Sequence, residues 1–295
     1  MKVLKEAIAA VAKAVGDEIT NLIPCQQGAL SNLSDSMRHS ALGGGKCLRP
    51  FLLVKSADLF DVPQAQSLRV GAAVELVHCY SLVHDDLPAM DDDDLRRGRP
   101  TNHRVFGEAT AILAGNALLT LAFEALNRPD RHIDPEIRSK LSENLARAAG
   151  MVGMIGGQIL DLSAEDHSLD DSETARLQRL KTGSLFEFSA EAGALLGSAT
   201  AEEISALIEY ARALGLAFQI TDDLLDIEGS VEKIGKGVQK DTAAGKATFV
   251  SLFGADGARS KAKDLVDQSI GHLNHFDDRA KELRQLAKFV LSRSH

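Results

Sequence analysis

The sequence predicts an all-α fold. Helix-forming residues run through almost the whole chain, aromatic residues make up 4% of it with tryptophan absent, and no alternating run of β-branched residues marks a strand. The opening stretch MKVLKEAIAAVAKAVGDEI carries Lys5, Glu6 and Lys13 through its apolar residues, a pattern that suits an amphipathic helix and interrupts any secretory apolar core. Glycine and proline then punctuate the chain at GGGKCLRP (43–50), RGRP (97–100), NRPDRHIDPE (127–136) and KIGKGVQKDTAAGK (233–246), leaving helical segments between them. The most apolar segment, AILAGNALLTLAFEAL from Ala111 to Leu126, is interrupted by Asn116, Thr120 and Glu124. It falls short of the roughly 20 apolar residues that cross a bilayer, so a buried helix is expected and no membrane span. Without an interdomain linker, low-complexity tract or repeat, the expectation is a single domain over residues 1–295, a bundle of roughly ten or more helices.

Charge and cysteine content narrow the function classes. Thirty-three Lys and Arg against 42 Asp and Glu leave a net charge of −9, which argues against a nucleic-acid surface. An anionic ligand must therefore meet a local basic patch. Cys25, Cys47 and Cys79 lack CxxC spacing, so neither a structural zinc site nor a disulfide framework is indicated, and a cytoplasmic location is expected.

Carboxylates crowd at two places. LVHDDLPAMDDDDLRRGRPTNH (82–103) holds six aspartates within ten residues and then three arginines within four, and FQITDDLLD (218–226) again runs an apolar helix into an Asp pair. On a helix, Asp222, Asp223 and Asp226 fall at about 0°, 100° and 40°, so they share a face. Asp85 and Asp86 are adjacent, but Asp91 lies about 240° round a regular helix from Asp85. Pro88 removes a donor and clashes with the carbonyl of His84, so the helix should end there and allow Asp91 to return toward Asp85. An N-cap or a solvated acidic run accounts for either pair alone. Two pairs, each ending an apolar helix and joined by basic motifs, point instead to a hard cation: crowded carboxylates repel one another unless metal sits among them, and Mg²⁺ takes one or two carboxylates plus phosphate oxygens.

The basic residues form separate groups. GGGKCLR offers backbone N–H groups with Lys46 and Arg49, although it lacks the P-loop spacing. His78 lies two turns before Asp85 on the same face, where a satisfied core histidine is the simpler account. Arg96 and Arg97 point about 100° apart on a helix and could serve two different anions. Lys181 with Thr182 opens KTGSLFEF, and Lys236 and Lys246 flank a glycine-rich stretch. Together these describe a site for two phosphorylated substrates, one bridged by metal and one held by cations alone.

Five stretches in this order, GGGKCLRP, DDLPAMDDDDLRRGRPTNH, GGQILDL, KTGSLFEF and FQITDDLLDIEG, resemble the trans-isoprenyl diphosphate synthases, and the insertion that makes the first motif DDxxxxD resembles the bacterial farnesyl type. The resemblance implies an all-α bundle around a deep central cavity, usually a homodimer, that condenses isopentenyl diphosphate with an allylic diphosphate using Mg²⁺. It implies that Asp85 and Asp91, with Asp86 beside them, bind two Mg²⁺ on the allylic diphosphate, and that Asp222, with Asp223 and Asp226 nearby, binds a third. Lys46, Arg49, His78 and Arg97 would hold isopentenyl diphosphate, and Arg96, Lys181, Lys236 and Lys246 the allylic diphosphate. Thr182 and Gln219 would lie beside the reacting carbons and the leaving group. Tyr80 and Ser81, just before the first motif, would set product length, with Tyr80 favouring a C15 product over the C20 alternative. Asn116, Gln239 and Val250 depart from the family's usual residues, and none is among these ligands.

Rival readings remain at this point. His84 followed by Asp85 suggests a metal-dependent phosphohydrolase, but that reading gives the second aspartate motif no purpose. A class I terpene cyclase leaves the second diphosphate site unexplained, and a non-catalytic partner subunit leaves the intact aspartate motifs without use.

Overall fold

Apolar residues at positions 4, 8, 11, 15, 19 and 22 repeat at helical spacing, and they are the residues that helix α1 (Lys2–Leu22) buries. The computed structural model describes residues 2–164, 169–228 and 249–292. These form two compact units, Lys2–Ser142 and Glu143–His295, whose boundary falls within helix α7.

The first unit contains α1, α2 (Ala29–Ala41), α3 (Leu48–Asp58), α4 (Gln64–Asp85), α5 (Asn102–Phe106), α6 (Glu108–Asn127) and the start of α7 (Pro135–Ala149). Helix α4 is its axis. From Val70 to Val77 every residue is buried, which a helix allows only when neighbours surround it. Helix α6 runs 20 residues, so it is longer than the apolar core read from the sequence and meets the length and hydropathy of a membrane span, at a mean hydropathy of 1.6. One face, with Ala111, Ala114, Gly115, Leu118, Ala122 and Ala125, is buried, while Ile112 and Leu113 are exposed. The expected buried helix is thus buried on one side. A second departure is a short antiparallel hairpin, β1 (Leu95–Arg96) and β2 (Arg99–Pro100), in a stretch without β-branched residues. Its turn explains it: Arg97 and Gly98 both have positive φ, at 53° and 72°, as the tight turns that match strand twist require.

The second unit contains the rest of α7, α8 (Met154–Ser163), α9 (Asp171–Gln178), a π-helical turn at Arg179–Gly183, α10 (Ser184–Leu196), α11 (Ala201–Glu228), α12 (Phe249–His272) and α13 (Lys281–Ser292). Asp170 caps α9 through a capping box with Glu173. Tyr210, fully buried in α11, donates its hydroxyl to the carbonyl of Leu283 at 2.8 Å and so ties α11 to α13.

A buried ionic cluster secures the N-terminal helix. Arg69 on α4 donates from Nε to Glu18 of α1 at 2.5 Å and from both Nη atoms to Asp130 at 2.8 Å, while Arg131 donates to Glu18 at 2.7 Å. Burial alone would raise the Glu18 carboxyl, but hydrogen bonds from Arg131 and Arg69 outweigh it and hold the group below its usual range. Asp130 is held low chiefly by the Arg69 hydrogen bond. A depressed folded-state value stabilises the fold above the unfolded value and is lost as pH falls through the folded one. Replacing Arg69 by Met should therefore destabilise the protein by about 3 kcal/mol at neutral pH. The decline in melting temperature below about pH 4.5 should become shallower than in the wild type, which thermal unfolding across pH would measure.

Candidate active site

Helix α4 ends at Asp85, and the chain then turns back on itself through Pro88. The N–H of Asp91 donates to the carbonyl of Asp85 at 2.8 Å and the N–H of Asp93 to that of Asp86 at 3.2 Å. The inserted residues thus bring the backbone of Asp91 to that of Asp85, as the position of Pro88 suggests. Asp85 and Asp91 are half-buried, but Asp86 is 4% exposed and accepts from Nε of Arg96 at 2.6 Å. Burial pushes the Asp86 carboxyl up and Arg96 draws it down, with Asp93 and Asp91 adding to the rise. Further along the same acidic run, Asp93 pairs with Arg96 at 3.6 Å and Asp94 with Arg104 at 3.1 Å.

His84 is held against helix α6. Its Nε2 faces the carbonyl of Ile112 on α6 at 3.2 Å, so that nitrogen carries the proton. Its ring occupies the space beside Gly115, where a Cβ would come within 2.5 Å of the imidazole Cδ2. Tyr80, one turn earlier, is 5% exposed and meets His84 edge-on at 5.8 Å between ring centres.

The glycine loop and the hairpin interlock. Arg97 donates to the carbonyl of Gly44, and a Cβ on Gly45 would lie 2.8 Å from the Arg97 guanidinium carbon. A Cβ on Gly43 would lie 2.9 Å from Nη1 of Arg99. The glycines therefore make room for guanidinium groups, a use the sequence reading did not foresee. Asn102 fixes the hairpin's exit, exchanging hydrogen bonds with Ser36 at 2.7 and 2.9 Å and donating to Ser40 at 2.8 Å. Lys46 and Arg97 are exposed, and Arg49 is half-buried at the start of α3. His78 lies under the fields of Arg49, Arg97 and Arg96; burial first, then these charges, hold it well below the ordinary histidine value. That keeps its ring neutral, in line with a histidine settled in the core. Glu75, one turn before it, is a buried carboxyl raised by desolvation and drawn down by Arg49 and Arg97. Sequence reading passed it over, although its place on an all-buried helix was a signal.

In the second unit, the π-helical turn presents Lys181 and Thr182. Such turns insert one residue into a helix and recur at functional sites. Thr182 donates to Oε1 of Gln219 at 3.2 Å, Gln219 donates to Oδ1 of Asp223 at 3.1 Å, and the N–H of Phe249 donates to Oδ2 of Asp223 at 3.1 Å. Asp223 is 4% exposed, whereas Asp222 is half-buried. The shared carboxylate face read from the helical wheel is thus divided: Asp223 accepts protein N–H donors on both oxygens. Asp226 belongs to α11, but its side chain lies outside the described residues, as do Lys236 and Lys246.

The donor set tests the expected metal. Among the described residues no three His, Cys, Asp or Glu side chains converge closely enough to hold an ion by themselves. Asp85 and Asp91 in the first unit, and Asp222 in the second, each offer oxygen only, which suits hard cations that complete their shells with water and phosphate. The thiols offer no softer alternative: burial and Glu75 push Cys47 up to about 12, and burial raises Cys79 well above its usual value.

Similarity to known proteins agrees with this geometry. The sequence matches polyprenyl synthetase over residues 31–287. It is 46% identical over 266 residues to the farnesyl diphosphate synthase of Geobacillus stearothermophilus, covering 90% of each chain. It is 39% identical over 282 residues to the geranylgeranyl diphosphate synthase of Cyanophora paradoxa, covering 95% of this chain and 93% of that one. The solved structure of an FPP/GFPP synthase from Zymomonas mobilis superposes with a TM-score of 0.90 at 45% identity, covering 99% and 100% of the two chains. Fold and relatives together define an all-α prenyltransferase. The chain belongs to the polyprenyl synthetase family.

Gly157 on α8 sits directly against the π-helical turn, where a Cβ would lie 2.5 Å from Cα of Lys181 and 2.8 Å from the carbonyl carbon of Leu180. No flexible side chain can yield there, because the neighbours are backbone. Gly157→Ala should lower stability by about 1–3 kcal/mol, the cost of overpacking, and reduce kcat more than tenfold by displacing Thr182. Thermal unfolding and steady-state kinetics would read both.

Proposed function

We propose that the protein is a farnesyl diphosphate synthase, a short-chain prenyltransferase that joins isopentenyl diphosphate to dimethylallyl diphosphate and then to geranyl diphosphate. The observation that carries this reading is the gathering of Arg49, Arg96 and Arg97 around neutral His78, two helical turns from Asp85 on α4. A second phosphate site beside the aspartate motif is what condensation of two diphosphates needs. Neither a terpene cyclase nor a phosphohydrolase calls for one, and among the described residues no cluster of three His, Cys, Asp or Glu side chains forms around His84 as a phosphohydrolase's metal centre would need.

In this reading Lys46, Arg49 and Arg97 hold isopentenyl diphosphate by charge and His78 by a neutral hydrogen bond. Arg96, Lys181, Lys236 and Lys246 hold the allylic diphosphate. Asp85, Asp91 and Asp222, with Asp86, Asp223 and Asp226 beside them, would carry three Mg²⁺, which when bound neutralise charge on the leaving diphosphate. The allylic C–O bond breaks, the π electrons of isopentenyl diphosphate form the new C–C bond at that carbon, and the proton lost from its C2 goes to the departing diphosphate. Lys181 and Arg96 stabilise the charge developing on that group. Thr182 and Gln219, joined by a hydrogen bond, line the reacting carbons and exclude water from them.

Product length rests on Tyr80, with Ser81 next to it. Among the described residues the buried phenol finds no hydrogen-bond partner for its hydroxyl, which supports its reading as the floor of an apolar tail pocket. The family match spans both compact units, which supports one functional domain over residues 1–295. We extend the reading to a cytoplasmic homodimer, following the family resemblance.

Incubating purified protein with Mg²⁺, isopentenyl diphosphate and dimethylallyl diphosphate should give a C15 product on chromatographic sizing. Phosphate release without elongation would overturn the reading, and a C20 product would transfer it to geranylgeranyl diphosphate synthesis. Tyr80→Ala should lengthen the product; unchanged C15 output would remove Tyr80 as the length determinant.

A further inference from the structure

The GGQILDL stretch has no part in the chemistry above, yet it lies against the residues that do. Its glycine, Gly157, lets α8 approach the backbone of Lys181, and four residues on Asp161 reaches the same lysine's side chain, Oδ2 to Nζ at 2.5 Å. The two side chains are 13% and 25% exposed. We propose that Asp161 is the positioning residue for Lys181, fixing where its ammonium meets the allylic diphosphate. This rests on the assignment of Lys181 made above.

Lysine carries its charge on a four-carbon stem with large rotamer freedom, and that freedom opposes binding when a ligand orders it. Here both ends are fixed before a ligand arrives. The π-helical turn seated on Gly157 sets the backbone, and the Asp161 carboxylate sets the ammonium. The pair is not an exposed surface contact of the kind that contributes little. One N–H of the ammonium goes to Asp161, leaving two for a diphosphate. Thr182, next in sequence, is fixed separately through Gln219 and Asp223, so the two neighbours of the turn are oriented by different partners.

The test compares Asp161→Asn, Lys181→Met and the double variant. If Asp161 acts through Lys181, Asp161→Asn raises KM for geranyl diphosphate about tenfold and leaves KM for isopentenyl diphosphate within about twofold. In the Lys181→Met background the same change adds no more than about twofold, because the partner is gone. Equal rises in both KM values, fully additive effects, or a shift confined to the Mg²⁺ requirement would overturn the proposal. A second readout needs no catalysis. Acylation of Lys181 by acetic anhydride, followed by peptide mass spectrometry against the other lysines, should accelerate several-fold in Asp161→Asn and stay near the wild-type rate in Asp161→Glu, which keeps the charge. Unchanged labelling in Asp161→Asn, or acceleration in Asp161→Glu equal to that in Asp161→Asn, would overturn it. Selective acceleration at Lys181 in a protein that elongates nothing would sink the proposed activity and leave the Asp161–Lys181 pairing standing.

Discussion

A carboxylate taken out of water must find donors, and that constraint organises both aspartate motifs. Each begins with an adjacent pair, and in each pair the second member is the buried one: Asp86 accepts from Arg96, and Asp223 from Gln219 and the N–H of Phe249. Adjacent residues on a helix point about 100° apart, so turning one inward turns the other outward. Asp86 and Asp223 thereby secure a guanidinium, an amide and a helix start, while Asp85 and Asp222 are left at half-buried positions.

Glycine does the complementary work of making space for charged groups. Gly43 and Gly45 receive Arg99 and Arg97, Gly115 receives the His84 ring, and Gly157 receives the backbone that bears Lys181. In each case a charged or ring-bearing neighbour is placed by what the glycine lacks. That explains how separate basic groups, far apart in sequence, come under a common field at His78.

Much of this was legible in the sequence because it depends on period and punctuation. The buried face of α1, the end of α4 near Pro88 and the return of Asp91 follow from helical geometry and from the missing N–H of proline. What escaped depends on tertiary context. A helical wheel puts Asp222, Asp223 and Asp226 on one face but does not say that Asp223 is occupied by protein donors. The hairpin at Leu95–Pro100 escaped because it arises from a turn with two positive φ values rather than from strand-forming side chains. That His78 lies under the charges of three guanidinium groups also depends on tertiary context, because Arg49, Arg96 and Arg97 are separate from it in sequence.

The π-helical turn at Arg179–Gly183 has a consequence for how this part of the chain can vary. It is in effect a one-residue insertion, and everything after it is rotated by about 100° relative to an uninterrupted helix. Deleting one residue of the turn would remove that insertion. Helix α10 would then present a different stripe, with Glu187 and Ser189 moving into the places of the buried Phe186 and Phe188. Length in this segment is therefore constrained from both sides, by the register of Thr182 toward Gln219 and by the apolar face that follows. Substitutions there are open to compensation by neighbouring residues, but gaps are not.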